Sequence, residues 1–194
     1  VTGGHRRLGG VIAAHLAKAG YVLSLHGSHD VDLDPLLAAT LEKHGTLWHG
    51  FVADFENPAT ADALMVQVTR RFGRAPDLLV NSAALFGQDQ LDNVTADDLS
   101  RHYAVNCMAP VLLAQAFVAA GKDVGAHSDR SIINILDQRL VHPHGDQLSY
   151  TLSKQALAGF TQIAARTLAP RVRVNAVAPG LTIATSDYSA DQLE

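Results

Sequence analysis

The sequence predicts an α/β fold, a three-layer, doubly wound parallel sheet with helices on both faces. Three observations carry that prediction. Short apolar, β-branched runs alternate with stretches of helical periodicity along the whole chain. Glycine closes most of the helical stretches, as helix stop signals do. Polar or small residues gather just after the apolar runs, at Gly3, Ser28, Asp54, Asn81, Asp137 and Gly180. In open parallel sheets, ligands bind beyond these carboxyl ends of the strands.

Val1 reads as the last residue of a strand running into the turn Thr2-Gly3-Gly4, so a preceding strand is expected. Residues 9–19 give the first helix, with Val11, Ile12 and Leu16 on one face and Gly20 as its stop. Residues 21–25 form a strand that ends in His26-Gly27-Ser28-His29-Asp30. Residues 35–44 give a helix with a stripe of Leu36, Leu37 and Leu41, closed by Gly45. A strand over 47–52 runs to Asp54, and the helix over 59–72 stops at Gly73. A buried strand over 78–80 leads to Asn81-Ser82-Ala83-Ala84. Thr95, with Asp98 three residues on, is a capping-box signal for one long helix through Ala120. A strand over 131–136 ends on Asp137, and a loop with Pro143 and Gly145 leads to a helix from near Gln147 to Ala169. The last strand, over 172–177, ends at Pro179-Gly180. One domain spans 1–194, incomplete at both ends, with a final strand and a substrate-covering region expected beyond Tyr188. Without its first strand this stretch alone is expected to fold poorly.

Apolar residues make up 47% of the 194 and charged residues 18%. A surface that poor in charge points to some apolar area covered by a partner subunit. The net charge of −4 gives no electrostatic case for nucleic acid or an anionic membrane. A single cysteine, Cys107, excludes an intrachain disulfide and reads as a core thiol. No apolar run is read as spanning a bilayer and no leader is seen, so a soluble, cytoplasmic protein is expected. The ten histidines have no ligand spacing, and no metal site is expected. Asp89, Asp92, Asp97 and Asp98 read as a solvated acidic cluster.

Two stretches carry chemistry. Tyr150 and Lys154 stand four apart on a helix, so they share one face. An ammonium beside a phenol favours the phenolate and makes the tyrosine a usable proton donor. The second stretch is the turn Thr2-Gly3-Gly4-His5-Arg6-Arg7-Leu8-Gly9, which opens a helix. Backbone N–H groups at such a helix start approach a pyrophosphate, and its two arginines add charge-assisted hydrogen bonds. An acid about 20 residues past the glycines would select NAD. Here Gly27-Ser28-His29 stand at that place with Asp30 close by, so Arg6, Ser28 and His29 favour the 2′-phosphate of NADP(H).

Together these pieces resemble the short-chain dehydrogenase/reductase family across essentially the whole chain. The matching residues are the Thr2-Gly3 turn, Asp54, Asn81-Ser82-Ala83, Asn106 with Pro110, Tyr150-x-x-x-Lys154 and Pro179-Gly180. The resemblance implies a Rossmann-like fold and a nicotinamide cofactor. It assigns Gly3, Leu8, Asp54 (the adenine edge), Asn81, Ala83, Pro179, Gly180 and Thr182 to cofactor binding. It makes Tyr150 the proton donor, Lys154 a bridge between ribose hydroxyls and the tyrosine, and Asn106 the holder of a proton-relay water. It also implies a homotetramer that pairs the Asn106 and Tyr150 helices between subunits.

Two departures from the family pattern are informative. Arg7 replaces the usual second glycine, and Asp137 replaces the usual serine thirteen residues before the tyrosine. Both resemble the pteridine reductase and dihydromonapterin reductase branch. In that branch Arg7, Phe86, Asp137 and Tyr150 would meet the substrate, with Phe86 stacked on a pterin. Ala84 stands where better-known members carry a serine. Independently, an ionised carboxylate cannot donate to a ketone oxygen and would repel charge building there. It suits a substrate presenting N–H groups. The expected activity is NADPH-dependent reduction of a dihydropterin C=N bond. The alternatives are a generic NADPH-dependent ketone or 3-oxoacyl reductase and a non-catalytic NADP(H) sensor.

Overall fold

The computed structural model describes residues 1–122 and 129–182; the region expected beyond Tyr188 lies outside them. The elements are α1 (Arg7–Lys18), β1 (Leu23–Gly27), α2 (Pro35–Lys43), β2 (Trp48–Val52), α3 (Thr60–Phe72) and β3 (Leu78–Asn81). They continue with α4 (Ala96–Tyr103), a π-helical turn (Ala104–Met108), α5 (Ala109–Ala120), β4 (Arg130–Ile135), α6 (Leu148–Leu168) and β5 (Val172–Val177).

Among the described residues all the strand pairings are parallel: β1 with β2, β3 with β4, and β4 with β5. Val1 and Thr2 join the two groups. Val1 O accepts from His26 N at 3.1 Å and Thr2 N donates to Val80 O at 2.9 Å, and Thr2 bridges Asn81 in parallel. The spatial order is therefore β2, β1, the Val1-Thr2 segment, β3, β4, β5, reversing direction at the segment that leads into the glycine turn. At the opposite end of the sheet β1 and β3 flank a cavity of about 660 Å³ lined by Leu23, Leu79 and Leu113. Burial follows position. The strand β4, paired on both sides, is buried at five of its six residues, whereas β5 alternates Val172 and Val174 inward with Arg173 and Asn175 outward.

Two apolar clusters hold the layers. One joins Leu64 and Met65 of α3 to Leu113 and Phe117 of α5, Ile132 of β4 and Val174 of β5. The other packs Ala13 and Ala17 of α1 against Leu25, Leu37 and Leu41. Leu36, expected in the α2 stripe, is instead 80% exposed, because only the i, i+4 pair Leu37 and Leu41 faces α1.

The strand β1 begins two residues later than expected, at Leu23, and includes His26 and Gly27. The long helix from Thr95 is also not uniform. Its capping box is present, but residues 104–108 widen into a π turn in which Ala109 N–H reaches Ala104 O. Pro110 lacks the N–H that would bond Asn106 O, so the α-helical ladder cannot close there. Cys107, on this turn, is only half-buried, and its burial raises the thiol pKa. The continuous run Ala96–Ala120 is, by length and composition, apolar enough to cross a membrane, contrary to the expectation that no stretch is. Leu113, Ala114 and Phe117 of that run are core residues packed in the cluster described above.

Candidate active site

The carboxyl ends of the strands open into one cleft of about 930 Å³. At one end lies the glycine turn. Gly3 takes φ 58°, and a side chain on Gly9 would sit 2.0 Å from Gly3 O, so the turn is closed too tightly for any Cβ there. Helix α1 starts at Arg7 with no side-chain cap and no acid in its first turn. An anion is the complement of such an uncapped end. Arg6 and Arg7 are exposed and, with Leu8, line the cleft. Arg7 holds φ 51°, a left-handed conformation that favours glycine.

Three side chains fix this turn, two of them unnoticed in the sequence. Thr2 Oγ1 accepts from both Ser82 N and Ala83 N at 3.0 Å. His26 Nδ1 accepts from Gly3 N at 3.2 Å, which leaves Nε2–H to donate to Ala53 O at 2.7 Å. Its ring stacks on Phe55, with centroids 4.2 Å apart. Burial, foremost, pushes the His26 pKa down to about 4, so the ring is neutral at physiological pH. A polar residue inside an apolar strand pattern was the available signal. His5 is the third, its Nε2 standing 3.6 Å from Asp30 Oδ1. Asp30 is thereby turned to His5 and Asp32 N, and it does not line the cleft, whereas Ser28, His29 and Asp54 do.

Further along, the cleft is lined by the titratable residues Asp137, Tyr150 and Lys154. Tyr150 Oη donates to Asp137 Oδ2 at 2.8 Å, and Arg139 N donates to Asp137 Oδ1 at 2.9 Å. Lys154 is nearly fully buried and donates from Nζ to Ile135 O at 2.8 Å. Burial pushes its pKa down to about 8, against the attraction of Asp137. Phe86 meets the Tyr150 ring edge-on, with centroids 4.9 Å apart. Pro179, Gly180 and Thr182 form the adjoining rim with Ala83 and Ala84. Arg139, which the sequence did not single out, lines the cleft and pairs with Asp146 at 2.7 Å.

Asn81 and Asn106 stand behind the cleft wall. Asn81 Nδ2 donates to Asn134 Oδ1 at 2.8 Å, and Asn134 Nδ2 to Thr161 Oγ1 at 2.8 Å. Asn106 is fully buried; its Oδ1 accepts from Leu85 N at 2.7 Å and its Nδ2 donates to Leu85 O and Ser153 Oγ, both at 2.9 Å. Of the supposed acidic cluster, Asp89 is not solvated: it is 6% exposed and accepts from Ser149 N at 3.1 Å. The helix start at Leu148–Leu168 attracts an acid from elsewhere in the chain because its own N-cap, Gln147, supplies no side-chain cap.

The buried Lys154 predicts a stability signature. A lysine whose pKa falls from 10.5 to about 8 on folding leaves the unfolded chain binding the extra proton between those values. Stability then rises with pH across that window. Wild-type protein should gain stability relative to Lys154→Met as pH rises from about 8 to about 10, read from urea midpoints. A difference independent of pH would contradict this account.

A sheet that reverses direction at a glycine turn, with a phenol and an ammonium in the same cleft, is the architecture of a nicotinamide-dependent oxidoreductase. The chain belongs to the short chain dehydrogenase family, whose model matches residues 1–192. Within that family it falls in the pteridine reductase-like branch. It is 31% identical to pteridine reductase 1 of Leishmania tarentolae over 96% of this chain and 77% of the relative. Its structure matches FolM alternative dihydrofolate reductase 1 from Brucella canis, complexed with NADP, at a TM-score of 0.84 and 36% identity. That match covers 96% of this chain and 74% of the other. A 3-oxoacyl-(acyl-carrier protein) reductase from Brucella melitensis, in complex with NAD, matches at a TM-score of 0.83 and 29% identity, over 93% and 71%.

Proposed function

We propose that this protein is an NADPH-dependent reductase of dihydropterin-type substrates. The observation that carries the reading is the 2.8 Å hydrogen bond from Tyr150 Oη to Asp137 Oδ2 inside the cleft. The similarity to pteridine reductase 1 and to the FolM reductase supports it. Arg6, Ser28 and His29 in the cleft, with Asp30 turned to His5, support NADP over NAD.

The residues present fit such a cofactor. The uncapped start of α1 and the two exposed arginines would hold the phosphates, and Asp54 the adenine edge. Asn81 and Ala83 would shape the wall beside the nicotinamide, and Pro179, Gly180 and Thr182 would hold the carboxamide. Bound there, the reduced nicotinamide supplies the hydride. Lys154 keeps donors free beyond its bond to Ile135 O and would hold the ribose hydroxyls. Asn106 would steady the relay water from behind the wall. Tyr150 holds a proton at Oη, and Asp137 sets its direction. Asp137 accepts from substrate N–H groups and orients protonation of a ring nitrogen, which a ketone neither offers nor needs. Phe86 provides an aromatic face at the cleft mouth for a planar heterocycle. A homotetramer pairing the long helices belongs to the same proposal, supported by exposed Met108 and Ile163 on those helices; a cytoplasmic setting is proposed with it.

NADPH oxidation measured across dihydropterins, dihydrofolate and a ketone panel tests the reading. Turnover of ketones alone would replace it with the 3-oxoacyl-type alternative. Arg7→Gly separates two effects at the turn. Glycine relieves the left-handed backbone, raising stability by about 1 kcal/mol. Loss of the guanidinium weakens NADPH binding by about tenfold. Thermal unfolding and cofactor titration should thus move in opposite senses.

A further inference from the structure

We propose that Asp89 is a positioning residue that locks the loop carrying Phe86 onto the first turn of the catalytic helix. It thereby sets the Tyr150 phenol against the Phe86 ring. The inference rests on the proposed function in that it gives Phe86 a substrate-facing task.

Helix α6 begins without a cap of its own, since Gln147 sits at φ 55° and makes no side-chain cap bond. Asp89, sixty residues earlier, takes that place. Its backbone O accepts from Leu148 N at 3.2 Å. Its carboxylate accepts from Ser149 N at 3.1 and 3.3 Å and from Ser149 Oγ. Ser149 is fully buried and Asp89 is 6% exposed, so water offers these groups no replacement. A negative charge at a helix N-terminus is favoured as well.

The same loop is tied to the same helix at its other end. Asn106 clasps Leu85 N and Leu85 O, then donates to Ser153 Oγ, which in turn donates to Tyr150 O at 2.6 Å. Between the two ties, Gly87 runs against His102, where a side chain would meet Cε1 at 2.9 Å. Residues 85–89 are therefore fixed at both ends to α6, one tie next to Tyr150 at Ser149 and the other a turn away at Ser153. Phe86 lies between the ties and rests edge-on on Tyr150. Removing Asp89 frees one end of the loop and one turn of the helix together. The glycine turn, bound to β1 and β3, is untouched.

Asp89→Ala, Asp89→Asn and Ser149→Ala test this, each assayed below its unfolding temperature, with NADPH affinity measured separately. Asp89→Ala should lower kcat/KM by about a hundredfold, the scale of a misplaced catalytic group. NADPH affinity should stay within about twofold, since the cofactor turn is remote. Asp89→Asn, which keeps an acceptor for Ser149 N, should recover about tenfold of the loss, and Ser149→Ala should lose about threefold to tenfold. A folded Asp89→Ala with wild-type kcat/KM, or one that loses turnover and NADPH binding in parallel, would overturn the inference. Should Asp89→Ala not fold, wild-type kcat/KM in both other variants would do the same. The substrate panel on wild-type protein decides the dihydropterin reading separately. If a ketone proves to be the substrate, the same variant ratios measured on it still decide whether Asp89 positions Tyr150.

Discussion

Tyr150→Phe should lower kcat by about 10²–10⁴-fold, the range for losing a general acid, while NADPH affinity remains close to wild type. In the proposed reaction the phenol carries the proton, and its hydroxyl is already directed at Asp137 Oδ2 at 2.8 Å. The residue is 6% exposed and its ring is braced by Phe86, so phenylalanine fits the same space and the effect is chemical. Lys154 keeps its bond to Ile135 O in the variant, which preserves the position proposed for it beside the cofactor. Unfolding curves matching wild type with turnover gone would separate the proton from the packing. Turnover within tenfold of wild type would remove Tyr150 from the reaction.

Asp137→Ser should reduce dihydropterin kcat/KM by about 10–100-fold, the scale of a lost hydrogen bond to a charged group. Ketone turnover should rise or hold. Serine restores a donor for a developing oxyanion and removes the acceptor that orients a nitrogen heterocycle. Asp137→Asn is the useful companion, since it keeps the shape and the acceptor for Arg139 N while removing the charge. Both variants should bind NADPH with unchanged affinity, because the carboxylate bonds Tyr150 and Arg139 and makes no contact with the glycine turn. Equal dihydropterin turnover in Asp137→Ser and wild type would contradict the assignment.

Much of this site was legible because its residues are written next to strand ends. Gly3, Asp54, Asp137 and Gly180 each follow an apolar run, and chain connectivity alone delivers them to one edge of a parallel sheet. The Tyr150-Lys154 pair was legible for a similar reason, as a spacing of four fixes a shared helical face. Asp89 was not. Next to other acids in a polar loop it resembled solvated surface, and only the approach of the Ser149 backbone from sixty residues away gives it a buried partner. His26 was not legible either, because its role depends on Gly3, Ala53 and Phe55 converging on one ring.

By itself, then, the sequence determined the order of strands and helices, the edge of the sheet where the candidate site lies, and the tyrosine, lysine and aspartate proposed to handle the proton. These follow from periodicity and from covalent neighbours, which act over a few residues. Tertiary structure alone decided that the Tyr150 proton points at Asp137, that Asp30 turns from the cleft to His5, and that a distant carboxylate caps the catalytic helix. The Tyr150 bond and the Asp89 cap depend on burial removing water as the competing hydrogen-bond partner. The partly exposed Asp30 carboxylate turns because the packed chain brings His5 beside it. Burial and approach alike are properties of the packed chain.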